Sequence, residues 1–210
     1  MNGSSAPHFA RLNSNGSVDG TFVVNSGADY LVYGMAVRSD DKVVITGGFR
    51  MYNGVLRQGI ARVNTDGSTD TGFFTGSGVA KKVTWIARVH AIALQPDGKA
   101  LVGGSFLGYN DKPASDLVRV NADGSHDPTF STGSIDHLVD VKAIVVQPDG
   151  KVVVGSTFGF AESTSQGITR FTTTGAIDPS FLSGSGFTGD VRALALQPDG
   201  KILVAGQMTA

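Results

Sequence analysis

The sequence lacks the residues on which several functional classes depend. It contains no cysteine, which excludes disulfide bonds, thiolate metal sites and a cysteine nucleophile. No apolar run approaches the roughly 18 residues that a membrane-spanning helix needs. The segment Met1–Ser5 has neither the basic nor the apolar region of a secretory signal. We therefore expect no membrane insertion and no export signal within this chain.

An excess of charge of either sign is also missing. Lysine and arginine number 17 and acidic residues 18, so the net charge is −1. Without a basic field to attract phosphates, nucleic acid is a poor partner. Hydrophobic residues make up 40% and charged residues 17% of the 210 residues, which is typical of one folded domain rather than a disordered chain.

Glycine is abundant, with 29 residues, and it accompanies a fourfold internal repeat. In one block, arginine precedes aspartate by eight residues; the four copies are Arg11–Asp19, Arg62–Asp70, Arg119–Asp127 and Arg170–Asp178. The arginines are 51, 57 and 51 residues apart. The second block reads Ser-Asp-Asp-Lys at 39–42 and Pro-Asp-Gly-Lys at 96–99, 148–151 and 198–201.

Short apolar, β-branched runs flank these turns, so each repeat predicts two hairpins and four short antiparallel strands, with almost no helix. Tandem units of about 50 residues with four strands are typical of β-propeller blades. We therefore expect an all-β, four-bladed propeller filling residues 1–210. Its blades are expected at about 30–73, 89–130, 140–181, and 191–210 together with 1–22.

The two termini continue each other in the register of the repeat. Closure within one chain, with N- and C-terminal strands sharing one blade, would remove exposed sheet edges, and this is the interpretation we favour. The alternative is a homodimer by strand exchange, in which two chains form an eight-bladed ring.

Two segments carry a family resemblance. Ala93–Phe106 and Arg119–Phe130 together resemble the delta-60 repeat family of bacterial β-propellers. Ser39-Asp40-Asp41 and Thr172–Gly175 depart from that pattern. The resemblance implies a propeller of the kind found in large secreted or cell-surface bacterial proteins, and it implies no defined catalytic chemistry.

Residues that are repeated in every copy are expected first to have a structural role rather than to bind a ligand. Each Arg–Asp pair is expected to be a cross-strand ion pair. Asn64, Asp66, Asn121 and Asp123 raise the possibility of calcium, but turn formation explains them better because Thr174 replaces the acid in one copy. We expect no cofactor.

Two groups of residues are candidates for ligand binding. The first is the column Tyr33, His90, Lys142 and Arg192, which would hold an anion or polar ligand if it encircles the channel mouth; the alternative is that these side chains cover the seams between blades. The second is the longer connection with Lys81, Lys82 and Trp85, beside Tyr52 and Tyr109 on neighbouring loops. There Trp85 would form a stacking platform for a sugar or a protein, or else fill a gap beneath the loop.

Catalytic motifs are absent from the sequence. The histidines His8, His90, His126 and His137 occupy four different repeat positions, and no nucleophile elbow, P-loop or zinc-helix motif is present. We therefore expect a non-catalytic binding or scaffold module of a bacterial surface, secreted or phage-associated protein. It would contact a glycan or protein through its variable-loop face and work outside the cell. The alternatives are a polysaccharide hydrolase or lyase, and a spacer from a longer repeat array.

Overall fold

The structure, a computed structural model, describes residues 8–73, 75–80, 87–133, 139–157, 167–181 and 188–209. These residues form β-strands and no α-helix, so none of them forms a helix that could cross a bilayer. The strands are β1 (Val32–Val37), β2 (Val43–Gly47), β3 (Met51–Tyr52), β4 (Val55–Leu56), β5 (Ile60–Val63), β6 (Val79–Ala80), β7 (Arg88–Leu94), β8 (Ala100–Ser105), β9 (Gly108–Tyr109), β10 (Lys112–Pro113), β11 (Leu117–Val120), β12 (Val139–Val146), β13 (Val152–Thr157), β14 (Ile168–Phe171), β15 (Thr188–Leu196) and β16 (Ile202–Thr209). The expected all-β propeller fold is thereby confirmed in its class.

Three antiparallel sheets repeat along the chain. We call β1-β2-β5 unit 1, β7-β8-β11 unit 2 and β12-β13-β14 unit 3; β15 and β16 form the terminal hairpin. The Pro-Asp-Gly-Lys turns set their geometry. In unit 2, Gln95 N donates to Lys99 O, and Asp97 accepts from Lys99 N. Gly98 occupies the left-handed region at φ 82°, where glycine is the favoured residue.

The outermost strand of each unit is shorter than expected. It is reduced to a single bridge, such as Val120↔His126 in unit 2. The chain then turns, because Asp127 N donates to Arg119 O and Phe130 N donates to Asp127 O. A regular fourth strand therefore does not continue beyond the bridge.

Apolar clusters lie between successive units rather than inside one central core. Between units 1 and 2, Val44 and Ile60 pack with Val89, Val102 and Tyr109. Between units 2 and 3, Leu101 and Leu117 pack with Val141. Close approach requires small residues: a Cβ on Gly103 would lie 2.4 Å from a methyl group of Val141. The units therefore stack face to face, as propeller blades do.

The N-terminal hairpin, residues 9–22, packs on unit 1. Phe9 and Phe22 contact each other edge to face and join a cluster with Ile45 and Tyr52. Ile60 and Phe73 stand at the same repeat positions as Phe9 and Phe22, and they pack with residues of unit 2. The N-terminal hairpin therefore packs on unit 1 in the way that unit 1 packs on unit 2. The N-terminal hairpin thus occupies the place of the outer half of a unit preceding unit 1.

Among the described residues, the terminal hairpin does not pair with this segment. β16 pairs with β15 alone among the described residues, and the only bridge of residues 9–22 is Leu12↔Val18. β15 packs on unit 3 and β1 packs on unit 2, whereas β1 and β15 do not pack on each other as neighbouring units do. In the part of the chain that the structure describes, the strand pairing that a blade of 191–210 with 1–22 needs is not present, and the blade stays a prediction.

Candidate functional site

The inner strands of all four copies carry a β-bulge at the same place. The register shifts between Val32 and Gly34 in β1, and the intervening residue is Tyr33. The corresponding residues in β7, β12 and β15 are His90, Lys142 and Arg192. We call these four the bulge residues. A bulge adds an unpaired residue and redirects its side chain, so the fold gives these four positions a common direction.

The bulge residues line one open cavity of about 520 Å³. Its walls are Tyr33, His90, Lys142, Thr157, Asp190 and Arg192. This volume lies in the range of small-molecule sites. The structure thus brings together the whole column that the sequence singled out.

Small residues beside the bulges allow this convergence. Gly34 follows Tyr33, and a Cβ there would lie 2.9 Å from the His90 carbonyl oxygen. Such a distance is shorter than ordinary van der Waals contact, so the inner strands approach closely only because this position is small.

One side of the cavity is a chain of contacts between neighbouring units. The Tyr33 and His90 rings lie 4.9 Å apart between centroids, at an angle of 39°. His90 Nε2 lies 3.1 Å from Asp140 Oδ1, and Lys142 Nζ donates to Asp140 Oδ2 at 2.7 Å. Burial alone would raise the pKa of the Asp140 carboxyl, but the adjacent His90 and Lys142 outweigh burial and lower it. Asp140 is therefore an anion that holds two bulge residues in place.

The opposite side is more open. Arg192 Nη2 lies 3.5 Å from Asp190 Oδ2, and the Arg192 side chain is 63% exposed. Both cationic bulge residues thus have an aspartate two residues earlier in the same strand. The positive charge expected at the channel mouth is balanced locally, while donors and acceptors remain close together at the rim.

Sequence reasoning missed the aspartates of this site. Asp140 and Asp190 each stand two residues before a cationic bulge residue, and alternate strand residues share a face. The pattern Asp-Val-Lys and Asp-Val-Arg was the available signal. Its meaning depended on knowing that Lys142 and Arg192 are themselves the bulged residues of their strands.

Of the second candidate group, the structure describes only the two tyrosines. Lys81, Lys82 and Trp85 lie outside the described residues. Tyr52 and Tyr109 are fully buried. Their hydroxyls donate to Gly67 O at 3.0 Å and Gly124 O at 2.6 Å. Neither tyrosine can therefore serve as an exposed stacking surface, because each ring packs in a cluster and each hydroxyl ties a connection to an outer turn.

The repeated Arg–Asp pairs lie away from the cavity, across the outer hairpins. Arg62 Nε donates to Asp70 at 2.7 Å, and Arg119 Nε donates to Asp127 at 2.6 Å. The corresponding distances are 2.8 Å for Arg11–Asp19 and 2.9 Å for Arg170–Asp178. A lysine from the preceding turn joins three of the pairs; these are Lys42–Asp70, Lys99–Asp127 and Lys151–Asp178. The repeated charges thus connect strands within each unit.

The Asx residues considered for calcium are occupied by turn contacts. Asp66 Oδ1 accepts hydrogen bonds from Ser68 N and Ser68 Oγ, and Asp123 Oδ1 does the same with Ser125. No group of three or more potential metal ligands is found among the described residues. The geometry of these side chains is that of turn formation.

Comparison with solved structures relates the fold to bacterial propellers. A protein of unknown function from Bacteroides caccae aligns with a TM-score of 0.52 at 15% identity, covering 93% of this chain and 60% of its own. The extracellular domain of a protein from B. thetaiotaomicron, described as a hybrid two component system, aligns with a TM-score of 0.54 at 9% identity, covering 91% of this chain and 22% of its own. A protein from Thermus thermophilus, described as an oxidoreductase (glucose dehydrogenase), gives 0.53 at 15%, with 85% and 58% covered.

The chain thus spans less than two thirds of each of these structures. At these identities the likeness concerns the fold. No curated protein is similar enough in sequence to count as a relative.

A family model matches the repeat itself. It covers residues 1–22, 38–73, 95–130, 147–181 and 197–210, which include both repeated blocks and both termini. The gaps between the matched segments contain the four bulge residues, which therefore lie outside the family pattern. The matched segments make up more than half of the chain, which therefore belongs to the family described as "Domain of unknown function (DUF5122) beta-propeller".

Proposed function

We propose that the chain is a non-catalytic binding module whose cavity at the bulge residues holds a glycan. The observation that carries this proposal is the convergence of four different side chains, one from each inner strand, on a single cavity. Tyrosine, histidine, lysine and arginine replace one another at one repeat position there. A repeated scaffold that carries a different side chain in each copy is suited to contacting an asymmetric ligand.

The charge pattern favours a polyhydroxylated ligand over a simple anion. Lys142 and Arg192 are each close to an aspartate, so little uncompensated positive charge is available for a phosphate or carboxylate. Paired ions still present donors and acceptors to ligand hydroxyls, and the Tyr33 ring offers an aromatic surface. Sugars require this combination of polar edges and one apolar face.

The proposal places the module outside the cell, as part of a bacterial surface, secreted or phage-associated protein. Similarity of fold to the extracellular domain from B. thetaiotaomicron supports this location. The delta-60 resemblance of Arg119–Phe130 supports it as well, as a finer assignment within the propeller family. A protein ligand bound at the same bulge residues is the second form of the proposal.

One observation favours a catalytic alternative. Asp190 lines the cavity, Asp140 contacts two of its residues, and two carboxylates are the groups that polysaccharide hydrolysis requires. Asp140 is, however, engaged by both His90 and Lys142, which suits a positioning role better than proton transfer. Sugar release that disappears in an Asp190→Asn variant would replace the binding proposal with this one.

The test is a glycan array of neutral and acidic oligosaccharides probed with the wild-type chain. Retention of a glycan is expected, and a Tyr33→Ala, Arg192→Ala double variant should lose it. Lys112→Ala, a change of an exposed cation on β10, is the matched control and should bind as the wild type does. Equal binding by the double variant, or retention of no glycan at all, would overturn the proposal and leave the spacer interpretation.

A further inference from the structure

Both ends of the array are half units, and the two halves are complementary. We propose that the chain associates head to tail with a second copy, whose N-terminal hairpin adds to the free edge of β16. Each junction then forms a complete unit from the terminal hairpin of one copy and the N-terminal hairpin of the other.

The register of this junction follows from the complete units. In unit 2, Leu101 pairs with Arg119 and Val102 with Val118. The equivalent residues of the two halves are Leu203 with Arg11, and Val204 with Ala10. β16 pairs with β15 only and residues 9–11 take part in no ladder, so among the described residues both edges are open. Unpaired backbone donors and acceptors on a strand edge readily accept another strand.

Apolar exposure at the C-terminal end of the array points to the same junction. Leu203 is 57% exposed, whereas the residues at its position in units 2 and 3, Leu101 and Val153, are fully buried. Those two residues face the next unit along the chain. Leu203 therefore presents a surface that lacks its following unit.

At the N-terminal end, too, residues are exposed whose equivalents in the complete units are buried. Leu12 is 59% exposed, whereas Val63, Val120 and Phe171 at the same repeat position are fully buried. Met35 and Val37 of β1 are 58% and 64% exposed. Their equivalents in β7, Ile92 and Leu94, pack against the preceding unit. This end therefore lacks the preceding unit that a second copy would supply.

One ion pair of the complete units has its lysine at the C-terminal end of the chain and its aspartate at the N-terminal end. In units 2 and 3, the turn lysine reaches the outer aspartate at 2.8 Å for Lys99–Asp127 and 2.9 Å for Lys151–Asp178. The equivalent lysine, Lys201, is 78% exposed and contacts only the adjacent Asp199 among the described residues. Its expected partner is Asp19, at the other end of the chain. A second copy places these opposite charges together.

A hydrogen bond that joins successive units likewise has its donor near one end of the chain and its expected acceptor near the other. Nη1 of Arg11 donates to Thr65 O and Nη1 of Arg119 donates to Thr173 O, at 2.7 and 2.8 Å, and each acceptor lies in the turn of the next unit. No carbonyl of the described residues accepts the equivalent bond from Arg170. The matching turn position is Ser14, which a second copy would bring next to unit 3.

Curvature favours a closed pair over an open filament. All four inner strands contribute a bulge residue to one cavity, so the units turn around a common axis. A head-to-tail interface closes into a ring when its rotation sums to a full turn. Two copies, each with three complete units and two halves, would then form a ring of eight units. The bulge residues of both copies then surround the same channel.

Cysteine cross-linking tests the junction directly, because the chain has no cysteine of its own. Chains carrying Ala10→Cys are mixed with chains carrying Val204→Cys and oxidised. A disulfide-linked dimer is expected. A mixture of Met51→Cys and Val204→Cys chains is the control, since exposed Met51 lies in β3, away from both edges, and should not cross-link.

The mass in solution tests the ring independently. The 21.7 kDa chain should sediment as a dimer. Leu203→Lys should convert it to a monomer, whereas Ile177→Lys, which changes an exposed residue of unit 3 outside the junction, should leave it a dimer.

Three results would overturn the proposal. A monomeric wild type in which the Ala10→Cys, Val204→Cys double variant links within one chain would show self-closure. Absence of any link in the mixture would show that β16 does not receive the hairpin. Assemblies larger than two chains would show an open filament.

Discussion

The guanidinium carbon of Arg119 lies 4.9 Å from the centre of the Phe130 ring. The same side chain donates through Nε to Asp127 and through Nη1 to Thr173 O of the next unit. Related Arg–Phe contacts recur at Arg11, Arg62 and Arg170, at 4.6 to 4.9 Å. One arginine in each copy thus joins an ion pair, a cation–π contact and, in three copies, a bond to the following unit.

Replacing this arginine should destabilise the fold. Arg119→Ala removes charged hydrogen bonds from the buried Asp127, although Lys99 still compensates part of its charge. We expect the free energy of unfolding to fall by about 2 kcal/mol, measured by urea denaturation. Arg11→Ala is the comparison, because its side chain is 40% exposed and should matter less. Equal losses at both positions would contradict this account of burial.

Stability should also decrease in acid through the outer aspartates. Burial alone would raise the pKa of Asp70, but hydrogen bonds from Lys42 and Arg62 outweigh it and lower the pKa to about 2. The folded pKa is thus below the unfolded value of about 3.9. Its contribution is present above about pH 4 and is lost as pH falls towards about 2.

Denaturation midpoints measured between pH 5 and pH 2 check this dependence. The Asp70→Asn variant should show a shallower decline than the wild type across that window, because it has no carboxylate there to protonate. Parallel profiles for the two proteins would show that Asp70 does not contribute.

Close packing of the strands should make one glycine intolerant of substitution. A Cβ on Gly104 would lie 2.0 Å from the Arg88 carbonyl oxygen, so backbone must move. Gly104→Ala should cost about 1–3 kcal/mol of stability. Gly20→Ala is the matched control, because no atom lies within 4 Å of its Cβ position. Thermal unfolding of the two variants separates these outcomes, and similar melting temperatures would contradict the packing described here.

The hydroxyl group of Tyr109 should contribute to the stability of the fold and not to ligand binding. Tyr109→Phe leaves the Gly124 carbonyl without its buried donor, which should cost about 1 kcal/mol. Binding of a glycan should not change. Tyr30→Phe, at a residue 44% exposed, is the control in the same denaturation experiment. Lost binding with full stability would restore Tyr109 as a ligand contact.

The repeat made the sheet architecture predictable from the sequence. Pro-Asp-Gly-Lys turns between β-branched runs specify inner hairpins through local backbone geometry alone, and β7 and β8 follow that pattern. The column of bulge residues was also visible, since Tyr33, His90, Lys142 and Arg192 differ from copy to copy, whereas the residue after each of them is always glycine or alanine. Local signals were sufficient for these features because they depend on turns and on strand alternation.

Features that depend on the relation between units were not predictable in the same way. Tyr52 and Tyr109 were expected beside Trp85 on neighbouring loops, yet each ring is buried in a cluster that involves a neighbouring unit. Closure within one chain satisfies the repeat count, but the repeat count does not determine whether β16 pairs with the N-terminal hairpin, and among the described residues it pairs only with β15. Neither burial between units nor the pairing of the two ends is encoded in a local pattern.

Titration calorimetry with a glycan retained on the array tests the central claim most directly, namely that the bulge residues bind the ligand. The Tyr33→Ala, Arg192→Ala variant should bind at least about tenfold more weakly than the wild type, which corresponds to about 1.4 kcal/mol, while Lys112→Ala should match the wild type. Identical affinities for all three proteins, with all three folded, would contradict the claim.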